Sequence, residues 1–248
     1  MRLMKLAIAF GAVLGLAGPA LAAGDVVLVA GATGKSGAPL VRILQSQGYK
    51  VRALVRDKAK GAALAGEVEL VEGDVTRPET LAPAMKGAAY VISAIGAVSA
   101  APPNNPENVD YQGVVNMVDA AKAAKVRHFV LMSSVGAGDA NPATPLNKIF
   151  GMVLLWKGKG EAYVRQSGLP YTIVRPGGLK NCEPGQVGLR LAPGDDTTRG
   201  MICRADVGLV MADALKRPEA AGKTVALVSD DKAPVDAWKA SWATLPKD

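Results

Sequence analysis

The sequence predicts an α/β protein, a single domain built on a doubly wound parallel sheet of the Rossmann type. After residue 24, short aliphatic runs alternate with helical stretches, and the connections between them are short. Such alternation favours parallel strands joined by crossover helices. The composition agrees, because 49% of the residues are hydrophobic but only 4% are aromatic. Aliphatic cores of this kind are typical of strands that are buried on both faces.

The predicted strands are short aliphatic runs bounded by turn-forming residues. They lie at 26–30, 51–55, 68–71, 89–93, 129–132, 171–174 and 224–228. The predicted helices lie at 35–47, 57–65, 78–86, 108–124, 158–166 and 206–216, and a loop rich in proline and asparagine spans 99–107. Ligands of such sheets bind beyond the carboxyl ends of the strands, so the residues that follow each strand are the candidates for a site.

A glycine-rich turn follows the first strand and opens the first helix. Its members at 31–37 are Gly31, Ala32, Thr33, Gly34, Lys35, Ser36 and Gly37. Gly31 permits the tight turn, Gly34 lets a pyrophosphate approach the backbone, and Gly37 lets the helix pack on the strand. The helix N-terminus then offers N–H groups to the phosphates. In this context the turn predicts a dinucleotide site rather than a structural turn alone.

The end of the second strand selects between the two nicotinamide dinucleotides. Proteins that bind NAD place an acid there to bind the ribose 2′-hydroxyl, whereas Val55 and Arg56 stand there in this chain. A planar guanidinium can bind the 2′-phosphate with two hydrogen bonds, so NADP(H) is the predicted cofactor. The alternative is that Arg56 is a surface cation paired with Asp57.

Several motifs together resemble the atypical branch of the short-chain dehydrogenase/reductase superfamily, the NmrA-like NAD(P)-binding proteins. The resemblance covers nearly everything after residue 24. Its motifs are G-A-T-G-x-x-G at 31–37, L-V-R-D at 54–57, G-D-V at 73–75, S-A-I-G at 93–96, S-S at 133–134, L-P-Y-T-I-V-R-P-G-G at 169–178 and R-A-D-V at 204–207. The resemblance implies that Asp74 contacts the adenine amino group and that Val75 packs on the ring. It also implies a ribose and pyrophosphate lining made by Ala94, Ile95 and Gly96. The alternative for Asp74 is an N-cap or turn role, because Gly73 precedes it.

The resemblance further implies a catalytic Ser, Tyr and Lys, with the Tyr four residues before the Lys. Ser134 and Lys157 are the corresponding candidates, Ser134 to bind a substrate carbonyl and Lys157 to bind the nicotinamide ribose. Val153 stands four residues before Lys157, and valine cannot transfer a proton. The alternative for Lys157 is a solvated helix cation. Tyr111 could reach the site or serve packing.

Two functions remain open at this stage. The first is an oxidoreductase that transfers hydride from NADPH to a small quinone, flavin or carbonyl acceptor without the usual tyrosine. The second is a non-catalytic NADP(H)-binding redox sensor or assembly factor, because fold resemblance alone does not establish chemistry. Residues 179–203 are expected to cover the substrate side of the site. A monomer or homodimer is expected.

The charge pattern and the cysteines restrict the remaining classes of partner. The formal charge is +7, but the cations are scattered with no run of five, which does not indicate nucleic-acid binding. Cys182 and Cys203 lack the spacing of a metal site, so no metal is expected. They could form a disulfide only in an oxidising compartment. The single histidine, His128, begins a strand at the edge away from the expected site, which favours a structural role.

Residues 1–23 differ in character from the rest of the chain. Arg2 and Lys5 precede an apolar run at 6–16, and a small-x-small pattern follows at 20–22. This arrangement predicts a cleaved secretory signal peptide, with no stable membrane span left afterwards and residues 24–248 as the domain. Export to the periplasm is therefore expected. The cytoplasm is the alternative, because nicotinamide cofactors are recycled there and the segment lacks a twin-arginine signal.

Overall fold

In a computed structural model of the chain, residues 24–248 are described, so the predicted signal peptide at 1–23 lies outside the described residues. The strands run in chain order as follows: β1 Val26–Ala30, β2 Lys50–Val55, β3 Val68–Glu72, β4 Tyr90–Ser93, β5 His128–Met132, β6 Tyr171–Pro176, β7 Gly178–Lys180, β8 Gly188–Pro193, β9 Met201–Cys203 and β10 Lys223–Asp230.

The main sheet has the strand order β3-β2-β1-β4-β5-β6-β10-β8. Its neighbouring strands are parallel except for β8, which pairs antiparallel with β10. The chain winds outward from β1 in both directions, so a crevice opens where β1 and β4 end side by side. This arrangement confirms the predicted doubly wound sheet and directs attention to that crevice.

The α-helices of the described residues are α1 Gly37–Ser46, α2 Lys58–Gly61, α3 Ala82–Met85, α4 Gly113–Ala123, α5 Pro145–Ile149, α6 Val153–Gln166, α7 Arg204–Ala214 and α8 Trp238–Thr244. A π-helical segment, Glu107–Gln112, leads into α4. The predicted helix at 78–86 is divided into a 3₁₀ turn, Pro78–Thr80, and α3. Pro83 lacks the N–H that a continuous helix would donate to the carbonyl of Glu79, which explains the division.

The prediction was wrong about where α6 begins. It placed the start at Gly158, but the helix begins five residues earlier, at Val153. Gly158 and Gly160 lie inside the helix because neighbouring backbone leaves no space for a side chain. A Cβ at Gly158 would overlap the backbone of Gly138, and one at Gly160 would lie 2.6 Å from the carbonyl oxygen of Asp110. These glycines permit close packing and do not end the helix.

The core consists of two apolar clusters, one on each face of the sheet. Successive residues of β1 alternate between them, with Val27 and Val29 in one cluster and Leu28 in the other. On the face that contains Val27 and Val29, α7 packs closely on α1. A Cβ at Gly208 of α7 would lie 3.1 Å from Ile43 Cδ1 of α1. Burial of each large aliphatic side chain contributes about 1.5–3 kcal/mol. This packing holds the carboxyl ends of the strands, where the site lies, in register.

The region 179–203 is divided by the structure into two parts. β8 is an edge strand of the main sheet, whereas β7 and β9 form a separate parallel pair. Cys182 and Cys203 pair as a disulfide, with their Cα atoms 5.5 Å apart. Asp206 Oδ1 accepts a hydrogen bond of 2.7 Å from Gly185 N. The segment between β7 and β8 is therefore attached to the start of α7.

Candidate cofactor site

The glycine turn connects β1 to α1 at the crevice. Gly31 has a φ of +78°, and a Cβ there would lie 2.6 Å from the carbonyl oxygen of Ala94. A Cβ at Gly37 would overlap the carbonyl of Gly31. Gly34 N donates to Gly31 O at 2.9 Å and closes the turn. The bare backbone therefore leaves room for a pyrophosphate beside the N-terminus of α1, which fits a dinucleotide.

A cleft of about 180 Å³ lies beside this turn, at the ends of β1, β2, β3 and β4. Nine of the predicted cofactor residues line it. They are Gly31, Thr33, Gly34, Arg56, Asp74, Val75, Ala94, Ile95 and Gly96. Leu54, Val98, Asn104 and Val109 add apolar and amide surface to the same walls. The cleft thus joins residues that follow four strands, at the edge of the sheet where ligands of this class of fold bind.

Three turn residues that were predicted to bind the cofactor lie outside the lining of this cleft. Lys35 borders a separate groove along the outer side of α1, together with Arg42 and Arg204. Ser36 precedes the first residue of α1 without capping it through its side chain. Gly37 is buried against Gly31. Their predicted contact with the cofactor stays a prediction.

Arg56 extends from the end of β2 to the opposite wall of the cleft. Its Nη1 donates a hydrogen bond of 2.9 Å to Asn104 Oδ1. Asp57, which sequence reasoning considered as its partner, instead caps α2, because its Oδ1 accepts from Ala59 N at 2.8 Å. The guanidinium is therefore directed across the cleft by an amide from the loop after β4. Nothing in the local sequence indicated Asn104.

Asp74 and Val75 form the floor beside Arg56. Asp74 Oδ1 accepts hydrogen bonds from Thr76 N at 2.9 Å and Thr76 Oγ1 at 2.8 Å, so one carboxylate oxygen holds the turn after β3. The backbone of Val75 is fixed by Asn116, whose Nδ2 donates to Val75 O at 2.8 Å. The turn role that was the alternative for Asp74 thus uses one of its two oxygens.

A buried ion pair lies beside a second, separate cavity, which shares Ile95 with the cleft. Lys157 Nζ lies 2.7 Å from Asp110 Oδ1, and Asp110 is 2% exposed. Asp110 Oδ2 accepts a hydrogen bond of 3.0 Å from Ala97 N. One carboxylate therefore joins α6, the π-helical segment and the loop after β4. Lys157 is held in this network and is not a solvated helix cation.

The two serines after β5 occupy different surroundings. Ser134 is partly exposed, and its Oγ donates to Val135 O at 3.0 Å. Ser133 is 5% exposed and lines a cavity of about 10 Å³ with Asp110 and Lys157. That volume suits about one water molecule. Sequence reasoning selected Ser134 and missed that Ser133 lies beside the ion pair.

Val153 is the first residue of α6 and stands one helical turn before Lys157, so both lie on one helix face. The ring of Tyr111 stacks on that of Trp156, with centroids 5.9 Å apart. This contact supports the packing alternative for Tyr111.

Within residues 24–248, no group of histidine, cysteine, aspartate or glutamate residues could hold a metal ion. None of the helices described in that range is long and apolar enough to cross a membrane.

A glycine turn at a helix N-terminus, placed where a parallel sheet changes winding direction, defines the dinucleotide-binding Rossmann class. The sequence profile of a family described as NAD(P)H-binding matches residues 31–218. The chain therefore belongs to this NAD(P)H-binding family, which confirms the resemblance to atypical short-chain dehydrogenases/reductases.

The chain is similar in sequence to plant proteins and similar in fold to solved bacterial structures. Protein TIC 62, chloroplastic, of Pisum sativum is 36% identical over 236 residues, which cover 85% of this chain and 44% of the pea protein. The chain thus spans less than half of that relative. Sanguinarine reductase of Eschscholzia californica is 34% identical and is matched over 82% of this chain and 88% of its own length. The solved structure of a protein described as an NAD-dependent epimerase/dehydratase from Bacillus halodurans has a TM-score of 0.76 to this chain at 26% sequence identity. The match covers 88% of this chain and 100% of the Bacillus chain.

Proposed function

We propose that this chain is an NADPH-dependent oxidoreductase that reduces a small conjugated acceptor, a quinone, a flavin or an activated carbonyl. The observation that carries the proposal is the closeness of two cavities at the strand ends, the Arg56 cleft and the cavity beside the Asp110–Lys157 pair, since Ile95 lines both. Similarity to sanguinarine reductase over most of both chains supports reductase chemistry.

The residues of the cleft suit a phosphorylated adenosine. Arg56 contributes a cation at the end of β2, where an acid would favour the unphosphorylated ribose. Asp74 and Val75 line the same cleft, where they would bind and cover the adenine. The bare backbone at Gly31 and Gly34 leaves space that the pyrophosphate would occupy. When bound, NADPH supplies a hydride for the acceptor.

Lys157 and Ser134 would position the reacting groups. The Lys157 ammonium, held by Asp110, can donate hydrogen bonds to ribose hydroxyls. Ser134 can donate to an acceptor oxygen after rotation of its hydroxyl. Val153 cannot donate a proton where the superfamily usually has tyrosine, so the proton that completes the reduction would come from water. Acceptors whose reduced form is stable before protonation depend least on a protein acid, which favours quinones and flavins.

Exposed apolar side chains in the segment after Ser134 favour an apolar acceptor. α5 exposes Leu146 and Ile149, and Phe150 follows it; Ile149 is 64% exposed and Phe150 is 50% exposed. The helix is held by the buried Asn147, whose Nδ2 donates to Asp139 O at 2.8 Å. Exposed groups of large apolar side chains are typical of binding sites. These side chains lie on the connection from β5 to α6, which begins with Ser133 and Ser134 and leads into the helix that carries Lys157.

Turnover assays test the oxidoreductase proposal. The chain from residue 24 onwards is purified, and NADPH oxidation is followed with benzoquinones, free flavin and aromatic aldehydes. We expect turnover with quinones or flavin that exceeds turnover with simple aldehydes, and a loss of at least tenfold in Lys157→Met if the ammonium orients the ribose. Failure of the wild-type chain to bind either NADPH or NADH would overturn the proposal.

The second candidate function is a non-catalytic NADP(H)-binding sensor or assembly factor. Val153 favours it, because the usual proton donor is missing while the cofactor cleft is retained. Tight NADPH binding without turnover across the whole acceptor panel would decide for this candidate. Gel filtration with and without NADPH would then show whether the nucleotide changes its oligomeric state.

We also propose that residues 1–23 are removed during export and that the domain acts in the periplasm. The support comes from the Cys182–Cys203 pair, because disulfides persist in oxidising compartments and are rare in the cytosol. Sequencing the N-terminus of the protein recovered from periplasmic fractions tests this directly. An intact N-terminus on protein found only in the cytosol would contradict it.

A further inference from the structure

Residues 97–105 form a loop that contributes Val98 and Asn104 to the lining of the Arg56 cleft and is attached at its base. Ala97 N donates to Asp110 Oδ2 at 3.0 Å, so the first residue of the loop is fixed by a buried carboxylate. Ser99 N donates to Asn104 O at 3.3 Å, which closes the loop on itself. The loop therefore has a defined path although most of it is exposed.

The residues that follow Asn104 are also held by hydrogen bonds. Asn105 Oδ1 accepts from Asn108 N at 3.3 Å, and Asn108 Nδ2 donates to Pro103 O at 3.2 Å. Val109 N donates to Asn105 O at 3.0 Å. Asn104 is thus flanked on both sides by backbone that is tied to the loop or to the π-helical segment. Its side chain is presented to the cleft from a fixed position.

From that position Asn104 contacts Arg56, which is 48 residues away in the sequence and on the opposite wall. An exposed arginine samples many rotamers, so a single orientation requires a partner. Asn104 is that partner, with 2.9 Å between its Oδ1 and Arg56 Nη1. A guanidinium has five N–H donors, and this bond uses one of them. The others remain for a phosphate.

We infer that Asn104 is a positioning residue for recognition of the cofactor 2′-phosphate, acting by orienting the Arg56 guanidinium across the cleft. The inference rests on the proposed preference for NADPH. The neutral amide is suited to this role, because it accepts a hydrogen bond from Arg56 without cancelling its charge. A carboxylate would hold the guanidinium more strongly but would repel the phosphate. Asn104 therefore determines cofactor selectivity without itself carrying charge.

Direct binding measurements on variants test the inference without any need for turnover. Dissociation constants for NADPH and NADH are measured by fluorescence titration for the wild type, Asn104→Ala, Asn104→Asp, Arg56→Ala and the Arg56→Ala/Asn104→Ala double variant. Val98→Ala is the matched control, because Val98 lies in the same loop and lines the same cleft but bears no polar group. Thermal unfolding of each variant checks that the loop change leaves the fold intact.

We expect Asn104→Ala to weaken NADPH binding by about tenfold, the effect of one hydrogen bond to a charged group, and to change NADH binding by less than about twofold. Asn104→Asp should weaken NADPH binding further, because its charge opposes the phosphate. In the Arg56→Ala background, removal of the Asn104 amide should have no additional effect. Val98→Ala should leave the ratio of the two affinities unchanged.

Two results separate the inference from the proposed function. If the wild type prefers NADPH and Arg56→Ala loses that preference while Asn104→Ala keeps it, the role of Asn104 is wrong and the cofactor proposal stands. An Asn104→Ala effect of the same size in the Arg56→Ala background would also overturn the role. If the wild type shows no preference for NADPH, the cofactor proposal itself fails.

Discussion

Asp110 and Lys157 form an ion pair of 2.7 Å in which the carboxylate is almost completely buried. The pair links the π-helical segment to α6, and through Ala97 it also holds the base of the loop at 97–105, two of whose residues line the Arg56 cleft. One carboxylate thus contacts both Lys157 of α6 and the first residue of the loop at 97–105.

Asp110→Ala should lower the free energy of unfolding by about 3–5 kcal/mol, because it leaves the Lys157 ammonium without its charged partner in a largely buried position. Urea denaturation at pH 7 measures the change. Glu107→Ala is the control, since Glu107 is exposed in the same π-helical segment and its removal should cost less than about 0.5 kcal/mol. Equal losses in the two variants would show that the ion pair contributes nothing.

Gly34→Ala should weaken NADPH binding by more than about tenfold while the protein remains folded, because a methyl group would occupy space needed by the pyrophosphate. A Cβ at Gly34 has one close neighbour, Gly31 O at 3.1 Å. Gly48→Ala is the control: Gly48 has a φ of +83° but open space around its Cβ position. That variant should lose about 1–2 kcal/mol of stability and no affinity. An unchanged NADPH affinity in Gly34→Ala would argue against the proposed pyrophosphate site.

His128 should make stability fall as the solution becomes acidic. Burial lowers the pKa of His128 from 6.5 to about 4, and its Nε2 lies 2.9 Å from Thr172 Oγ1. Between these two values the unfolded chain binds a proton that the folded chain does not. This contribution is therefore present above pH 6.5, is lost as the pH falls towards 4, and amounts to roughly 3 kcal/mol.

Comparing unfolding free energies of the wild type and His128→Asn at several pH values isolates this contribution from that of the carboxylates. The wild type should lose more stability than the variant between pH 6.5 and 4. Parallel curves for the two proteins would be inconsistent with a neutral buried imidazole.

Cys182→Ala should destabilise the oxidised protein by about 3 kcal/mol, because the disulfide closes a chain segment between residues separated by 21 positions. Cys182 is exposed, so the substitution leaves no cavity in the core. Denaturation with and without reductant measures the effect. In excess reductant the wild type should match the variant. A difference that persists in reductant would assign the loss to packing.

Local patterns predicted the main strands well but missed several smaller elements. Three residues are too few for a recognisable periodicity, so β7 and β9 could not be predicted from the sequence. In β8 the buried and exposed positions do not alternate, so no two-residue period marked it as a strand. The start of α6 was predicted at Gly158 because glycine has a low helix propensity. Gly158 instead lies inside the helix, where the backbone of Gly138 leaves no space for a side chain.

By itself the sequence determined the doubly wound sheet, the glycine turn and the cation at the end of β2, because each depends on residues that are neighbours along the chain. Only the tertiary structure decided which groups face these residues. Arg56 meets Asn104, and Lys157 meets Asp110, across long stretches of sequence. Such pairs result from the register of β4 beside β1 and the packing of α6 on the π-helical segment, which no local pattern of residues encodes.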